Sequence, residues 1–111
     1  MEAKAQARGV RVSPYRARLI ATLIRGKKVD EALAILENVN NKSAKLTKKV
    51  LDSAVANAVN NESADATTLY IKEARVDAGP TLRRHKFDSR GRIGHKDHRT
   101  SHINIVVATR N

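Results

Sequence analysis

The pattern of apolar and polar positions along the 111 residues predicts one strand, three amphipathic helices and two further strands. Strands alternate apolar and polar residues, whereas helices repeat apolar residues every three or four positions. The predicted strands are Ala7–Val12, Leu69–Val76 and Ile103–Ala108. The predicted helices run from Pro14 to Arg25, from Val29 to Val39 and from Ser43 to Asn60. This order, β-α-α-α-β-β, predicts an α+β fold in which a small antiparallel sheet packs on three helices.

Local signals support the first helix. Ser13 is a hydroxyl N-cap, Pro14 suits the first helical position, and Gly26 ends the helix. Its buried stripe is predicted to comprise Ala17, Ile20, Leu23 and Ile24. In the strand that precedes it, Val10 and Val12 are predicted to point inward.

The last two strands are expected to extend into a long hairpin. Gly79-Pro80 predicts a kink or bulge, because extended residues resume after it. If Leu69–Phe87 pairs with Gly94–Ala108 around Ser89–Arg92, the longer arm reaches roughly 60 Å. A compact chain of this length has a radius of gyration of only about 13 Å. We therefore expect one domain over residues 1–111, with residues 81–102 as a protruding arm.

The charge of the chain is high and unevenly placed. The net charge is +11, and residues 29–80 contribute −2 to it, so the cations concentrate toward the two ends. Thr81–His102 holds seven Lys or Arg, all four histidines and only two acids. It has three large apolar residues, Leu82, Phe87 and Ile93, too few to order it by burial. This distribution is typical of a nucleic-acid-binding protein, whose affinity comes from neutralising phosphates.

Other functional classes are disfavoured. The absence of cysteine excludes disulfides and thiolate chemistry. The serines lack a partner base, and carboxylates such as Glu62 and Asp65 are expected to be solvated, so we predict no enzyme and no cofactor. A metal site at His95, His98 and His102 is disfavoured, because positions 95 and 98 of a strand point to opposite faces. With no signal sequence and no apolar run long enough to span a bilayer, a cytoplasmic or organelle-interior protein is expected.

The kind of nucleic acid follows from the other residues. Only three aromatic residues are present, so single-strand base stacking is not the expected mode, and recognition is expected to use phosphates, sugar hydroxyls and RNA shape. A DNA-binding helix is disfavoured because the third helix has lysines only in its first half. Asn57, Asn60 and Asn61, at the end of that helix, are either caps or contacts to sugar edges.

Six segments in order resemble one known family. They are Val12–Ala21, Leu23–Lys27, Glu31–Leu36, Ser53–Ala58, Val76–Thr81 and Arg99–Ile103. Together they are similar to the large-ribosomal-subunit protein family L-twenty-two over nearly the whole chain. The resemblance implies a structural, rRNA-binding constituent of the large subunit, located in cytoplasmic or organellar ribosomes, whose hairpin lines the nascent-peptide exit tunnel. It also implies neighbouring large-subunit proteins and the nascent peptide as partners.

The predicted site residues combine this resemblance with the charge pattern. The rRNA-binding residues are predicted to be Arg11, Ser13, Arg16, Arg18, Arg25, Lys27, Lys28, Asn57, Asn61, Arg83, Arg84, Lys86, Arg90, Arg92, Lys96, Arg99, Thr100, Ser101 and His102. The tunnel-lining hairpin tip is predicted to be Asp88, Ser89, Arg90, Gly91, Arg92 and Ile93. The family commonly has Pro-Arg where Phe87-Asp88 stands here, and a basic residue at His98.

Overall fold

A computed structural model describes residues 1–62, 65–79, 82–87 and 93–109, and for 82–87 and 93–98 it describes the backbone only. The described residues form an α+β fold, as predicted. Its elements are β1 (Glu2–Val10), α1 (Pro14–Ile24), α2 (Val29–Asn38), α3 (Lys42–Glu62), a short 3-10 helix (Ala66–Thr68), β2 (Leu69–Ala78), β3 (Leu82–Phe87), β4 (Ile93–His98) and β5 (Ser101–Thr109).

The core lies between the helices and one face of an antiparallel sheet with strand order β1-β5-β2. The central strand β5 buries Ile103, Ile105 and Val107 on that face. Helix α1 packs mainly against β2, whereas α3 packs against β1 and β5. The two edge strands of the described sheet, β1 and β2, are therefore packed against different helices.

Strand β1 is longer than predicted and begins near the N-terminus. Its inward positions, Ala3, Ala5 and Ala7, are small and pair across to Val107, Ile105 and Ile103 of β5. Alanine has a low propensity for strands. The first part of β1 therefore forms a strand because it pairs with β5, and its own sequence pattern does not predict it. Val10 is only half-buried, and Val12 is buried beyond the end of the strand.

The helices follow the prediction with two corrections. Leu23 was predicted to be buried, but its exposed fraction is 46% and Ala21 takes its place in the core. Helix α3 begins at Lys42, because the Asn41 side chain accepts a hydrogen bond from the Ala44 N–H at 2.8 Å. As predicted, Gly26 follows α1, with a positive φ of 79° that favours glycine.

The long hairpin is present in the described strands. β3 pairs antiparallel with β4, from Leu82 opposite His98 to Phe87 opposite Ile93. Three residues separate β2 from β3, whereas two separate β4 from β5. The predicted kink or bulge at Gly79-Pro80 includes Pro80, which lies outside the described residues. The predicted turn, Ser89–Arg92, lies outside the described residues.

The molecule is correspondingly elongated. Its principal extents are 64 × 26 × 16 Å and its radius of gyration is 16.9 Å. A compact chain of this length has a radius of gyration of about 13 Å. The excess agrees with an arm that leaves the body, as the residue count of the hairpin predicted.

Candidate nucleic-acid interface

A basic cleft lies where α1 and α3 begin. Its volume is about 600 Å³, and among the described residues its lining includes Arg11, Arg16 and Lys42 and no acidic residue. Ser13 and Asn41 also line it, and both are helix N-caps, because the Ser13 hydroxyl accepts from the Arg16 N–H at 3.3 Å. Helix N-termini carry partial positive charge. Two helix starts and three cations therefore make this cleft, here called the α1–α3 cleft, attractive to anions.

Arg18 and Arg25 hold α1 against the outer edge of β2. The Arg18 Nε donates to the Val76 carbonyl at 3.1 Å. Arg25 donates to the Ala74 carbonyl twice, from Nε at 3.3 Å and from Nη2 at 2.7 Å. Each guanidinium has five N–H donors, so both side chains keep donors for a second partner while they stabilise the fold.

A β-bulge allows this arrangement. The pairing of β2 with β5 shifts by one residue between Ile71 and Glu73, so Ile71 and Ala74 are both buried while Lys72 and Glu73 are exposed. C-terminal to this shift, the Ala74 and Val76 carbonyls accept the hydrogen bonds from the two arginines. Bulges are common at sheet edges.

Lys27 and Lys28 continue the same edge. The Ile71 N–H donates to the Lys27 carbonyl at 2.9 Å and the Gly26 N–H donates to the Ile71 carbonyl at 3.0 Å, while Lys28 forms a bridge with Tyr70. Both lysines remain exposed. The structure thus brings four of the predicted cations, Arg18, Arg25, Lys27 and Lys28, into one row along β2.

Asn57 and Asn61 lie at the opposite edge of the sheet. The Asn57 side chain donates to the Lys4 carbonyl of β1 at 3.0 Å, so it connects α3 to the sheet and is not a helix cap. Asn61 is exposed and lines a small depression together with Glu2 and Glu62. These two residues are not brought together with the basic row.

The predicted residues at the hairpin base contact the body. Ser101 is fully buried, and its hydroxyl donates to the Val12 carbonyl at 2.7 Å. Thr100 is buried, and its carbonyl accepts from the Gly79 N–H at 3.0 Å. His102 Nδ1 accepts from the Gly9 N–H at 3.0 Å. We assign Ser101 to this internal contact, because a fully buried hydroxyl is not available to RNA.

Glycine is required at position 79 of this base. A Cβ at Gly79 would lie 2.5 Å from Thr100 Oγ1 and 3.2 Å from His102 Cε1, and the first distance is too short for a real contact. The two strands of the hairpin base are therefore closely packed against each other at this position.

The remaining predicted cations belong to the arm. Arg83, Arg84 and Lys86 are residues of β3 and Lys96 is a residue of β4, with Arg84 in register with Lys96. Arg99 is exposed between β4 and β5. The predicted tip residues Asp88, Ser89, Arg90, Gly91 and Arg92 lie outside the described residues.

The open face of the sheet differs from these basic surfaces. Arg75 pairs with Glu73 at 3.4 Å and with Asp77 at 3.2 Å, and Lys72 pairs with Glu2. On the β2 side of this face, cations and acids therefore neutralise each other. It is a poor candidate for binding phosphates.

Asp65, one of the carboxylates considered for catalysis, caps the short 3-10 helix. The Thr67 backbone N–H donates to its carboxylate at 3.0 Å and the Thr67 hydroxyl at 2.8 Å. These two bonds lower the pKa of Asp65. A carboxyl group that acts as a general acid at neutral pH needs a raised pKa. The pKa of Asp65 is shifted in the opposite direction, so Asp65 is not suited to that role.

None of the helices in the part of the chain that the structure describes has the length and apolar character that crossing a membrane requires.

Comparison with known proteins agrees with this geometry. Residues 5–108 match the family described as Ribosomal protein L22p/L17e. The chain belongs to this family. It is 47% identical over 110 residues to the large ribosomal subunit protein uL22 of Syntrophomonas wolfei, covering 99% of this chain and 97% of that protein. It is 50% identical over 110 residues to the same protein of Carboxydothermus hydrogenoformans, with coverages of 99% and 97%.

Membership in the L22p/L17e family agrees with the resemblance found in the sequence. The family consists of structural ribosomal proteins, so this member is not an enzyme. The sequence did not identify Lys42 as a site residue, because Lys42 joins Arg11 and Arg16 only through the packing of α3 beside α1. Only its position directly after the Asn41 cap marks it in the sequence.

Proposed function

We propose that the protein is a structural constituent of the large ribosomal subunit whose body binds large-subunit rRNA through the α1–α3 cleft and the basic row along β2. The observation that carries this proposal is the separation of charge on the body. Among its described lining residues the cleft has cations and no acid, whereas the β2 cations on the open sheet face, Lys72 and Arg75, pair with acids. Phosphates bind where positive charge is not already neutralised.

The arm is proposed to extend this contact away from the body. Seven Lys or Arg lie within residues 81–102, and a two-stranded hairpin is marginally stable alone in water. We assign to its tip, residues 88–93, a position in the wall of the nascent-peptide exit tunnel. The basis for this assignment is the membership of the chain in the L22p/L17e family. Ser101 and His102 then act as positioning residues that fix the base of the arm. The assignment to the ribosome of the cytoplasm follows from the same proposal.

The proposal is tested by binding the full chain to bacterial large-subunit rRNA over a series of salt concentrations. The logarithm of the wild-type binding constant is expected to fall linearly with the logarithm of the salt concentration. A variant with Arg11→Gln, Arg16→Gln and Lys42→Gln is expected to bind more weakly and to lose roughly 2 to 3 from the magnitude of that slope, since each phosphate contact contributes about one.

The matched control is Lys72→Gln with Arg75→Gln, which removes two cations that pair with acids on the open sheet face. This control is expected to keep the wild-type slope. Equal slopes for both variants, or equal wild-type affinity for small-subunit rRNA, would contradict the proposed function.

A further inference from the structure

Helix α1 carries an exposed apolar ridge. Tyr15, Leu19 and Leu23 have exposed fractions of 70%, 52% and 46%. They are four residues apart, so they follow one line along the helix. The opposite side of α1 supplies the core with Ala17, Ile20, Ala21 and Ile24. Single exposed apolar residues are ordinary, but a continuous ridge indicates a contact surface.

Cations border this ridge on both sides. Toward α3, Leu19 lines the α1–α3 cleft together with Arg11 and Arg16. Toward β2, Arg18 and Arg25 lie over the sheet edge, each bound to a β2 carbonyl. Helix α1 contains no acidic residue. The partner of this face must therefore offer uncharged surface between two lines of negative charge.

The minor groove of double-stranded RNA has this arrangement. It is wide and shallow, and it displays riboses and base edges between two phosphate backbones. We infer that α1 docks along the minor groove of a double-helical rRNA segment, with Tyr15, Leu19 and Leu23 against riboses and the flanking arginines toward the two backbones. This inference rests on the proposed function and names the RNA structure that the body recognises.

Other nucleic-acid structures fit less well. The minor groove of B-form DNA is about 6 Å wide, whereas a helix with its side chains is about 10 Å or more across. Single-stranded RNA is held mainly by stacking on aromatic side chains, and the ridge has only Tyr15 for that purpose. Leucines offer neither stacking nor hydrogen bonds, so they fit best against ribose carbons.

The first test replaces the two leucines with a polar residue of similar size. Leu19→Gln with Leu23→Gln is expected to lower affinity for large-subunit rRNA about tenfold, because less apolar surface is buried on binding. The salt slope is expected to stay at the wild-type value, since no phosphate contact is lost. The matched control is Val59→Gln on α3, whose exposed fraction is 39%, and it is expected to bind normally.

The outcomes of this test separate the two proposals. Wild-type protein that fails to prefer large-subunit rRNA would contradict the proposed function. If the wild-type protein prefers large-subunit rRNA and the double variant binds it with the same affinity, only the inference about the ridge would be overturned.

A second measurement identifies what the ridge touches. The chain has no cysteine, so Thr22→Cys provides a unique attachment site for an iron chelate beside the ridge, where Thr22 is exposed. Hydroxyl radicals generated there in assembled large subunits are expected to cleave both strands of one RNA double helix. Cleavage confined to single-stranded RNA, or to a neighbouring protein, would overturn the inference.

Discussion

At the scale of single residues, burial decides what a polar side chain does in this protein. Ser101 and Arg16 were both predicted to bind rRNA, but Ser101 is fully buried and its hydroxyl bonds to Val12, whereas Arg16 lines an open cleft. The sequence cannot separate these two roles, because both residues lie in segments rich in cations. Only the packing of the hairpin base against the start of α1 distinguishes them.

Ser101→Ala is expected to destabilise the protein by about 1 to 3 kcal/mol, because it leaves the buried Val12 carbonyl without its hydrogen-bond donor. Urea unfolding of the full chain measures this loss. The matched control is Ser53→Ala at an exposed position of α3, where alanine is the better helix former. A loss no larger for Ser101→Ala than for Ser53→Ala would show that the hydroxyl does not stabilise the hairpin base.

At the scale of elements, the sequence predicted those whose ends and apolar spacing are marked locally. The Ser13-Pro14 pair marked the start of α1 and Gly26 marked its end, and the alternation of Leu69, Ile71 and Val76 predicted β2. Most of β1 was not predicted, because its inward residues are alanines that become a strand face only when they pair with β5. The hydrogen bonds from Arg18 and Arg25 to the carbonyls of the β2 edge could not be predicted from the sequence either, because they depend on tertiary packing.

Arg25 and Arg16 are expected to separate folding from RNA binding. Arg25→Gln is expected to lower the free energy of unfolding by about 1 kcal/mol, because two hydrogen bonds to the Ala74 carbonyl are lost at a partly exposed site. Arg16→Gln is expected to leave stability unchanged and to lower the salt dependence of rRNA binding.

Urea unfolding and salt-dependent rRNA binding are measured on the same two proteins. The Arg16 side chain forms no hydrogen bond or ion pair with the residues that the structure describes, and it lines the α1–α3 cleft, so Arg16 is the matched comparison for Arg25. If both substitutions destabilised the protein equally, the edge-capping role of Arg25 would be refuted.

At the scale of the whole molecule, the proposed function assigns separate tasks to the body and the arm. The described core lies between the helices and the three-stranded sheet, and β3 and β4 form a second sheet beyond it. The cleft and the basic row are both on the body. We therefore propose that the body anchors the protein on the large subunit, while the arm reaches inward to shape the tunnel.

The most direct test of this claim shortens the arm and measures incorporation into large subunits. Replacing Phe87–Ile93 with Asn-Gly keeps Lys86 opposite Gly94 and closes the strands with a two-residue turn. Because the body keeps its cleft, its basic row and its core, the shortened protein is predicted to enter large subunits as well as the full chain in direct competition, at low and high salt. Loss of incorporation would contradict the account, since the tip would then be an anchor for assembly.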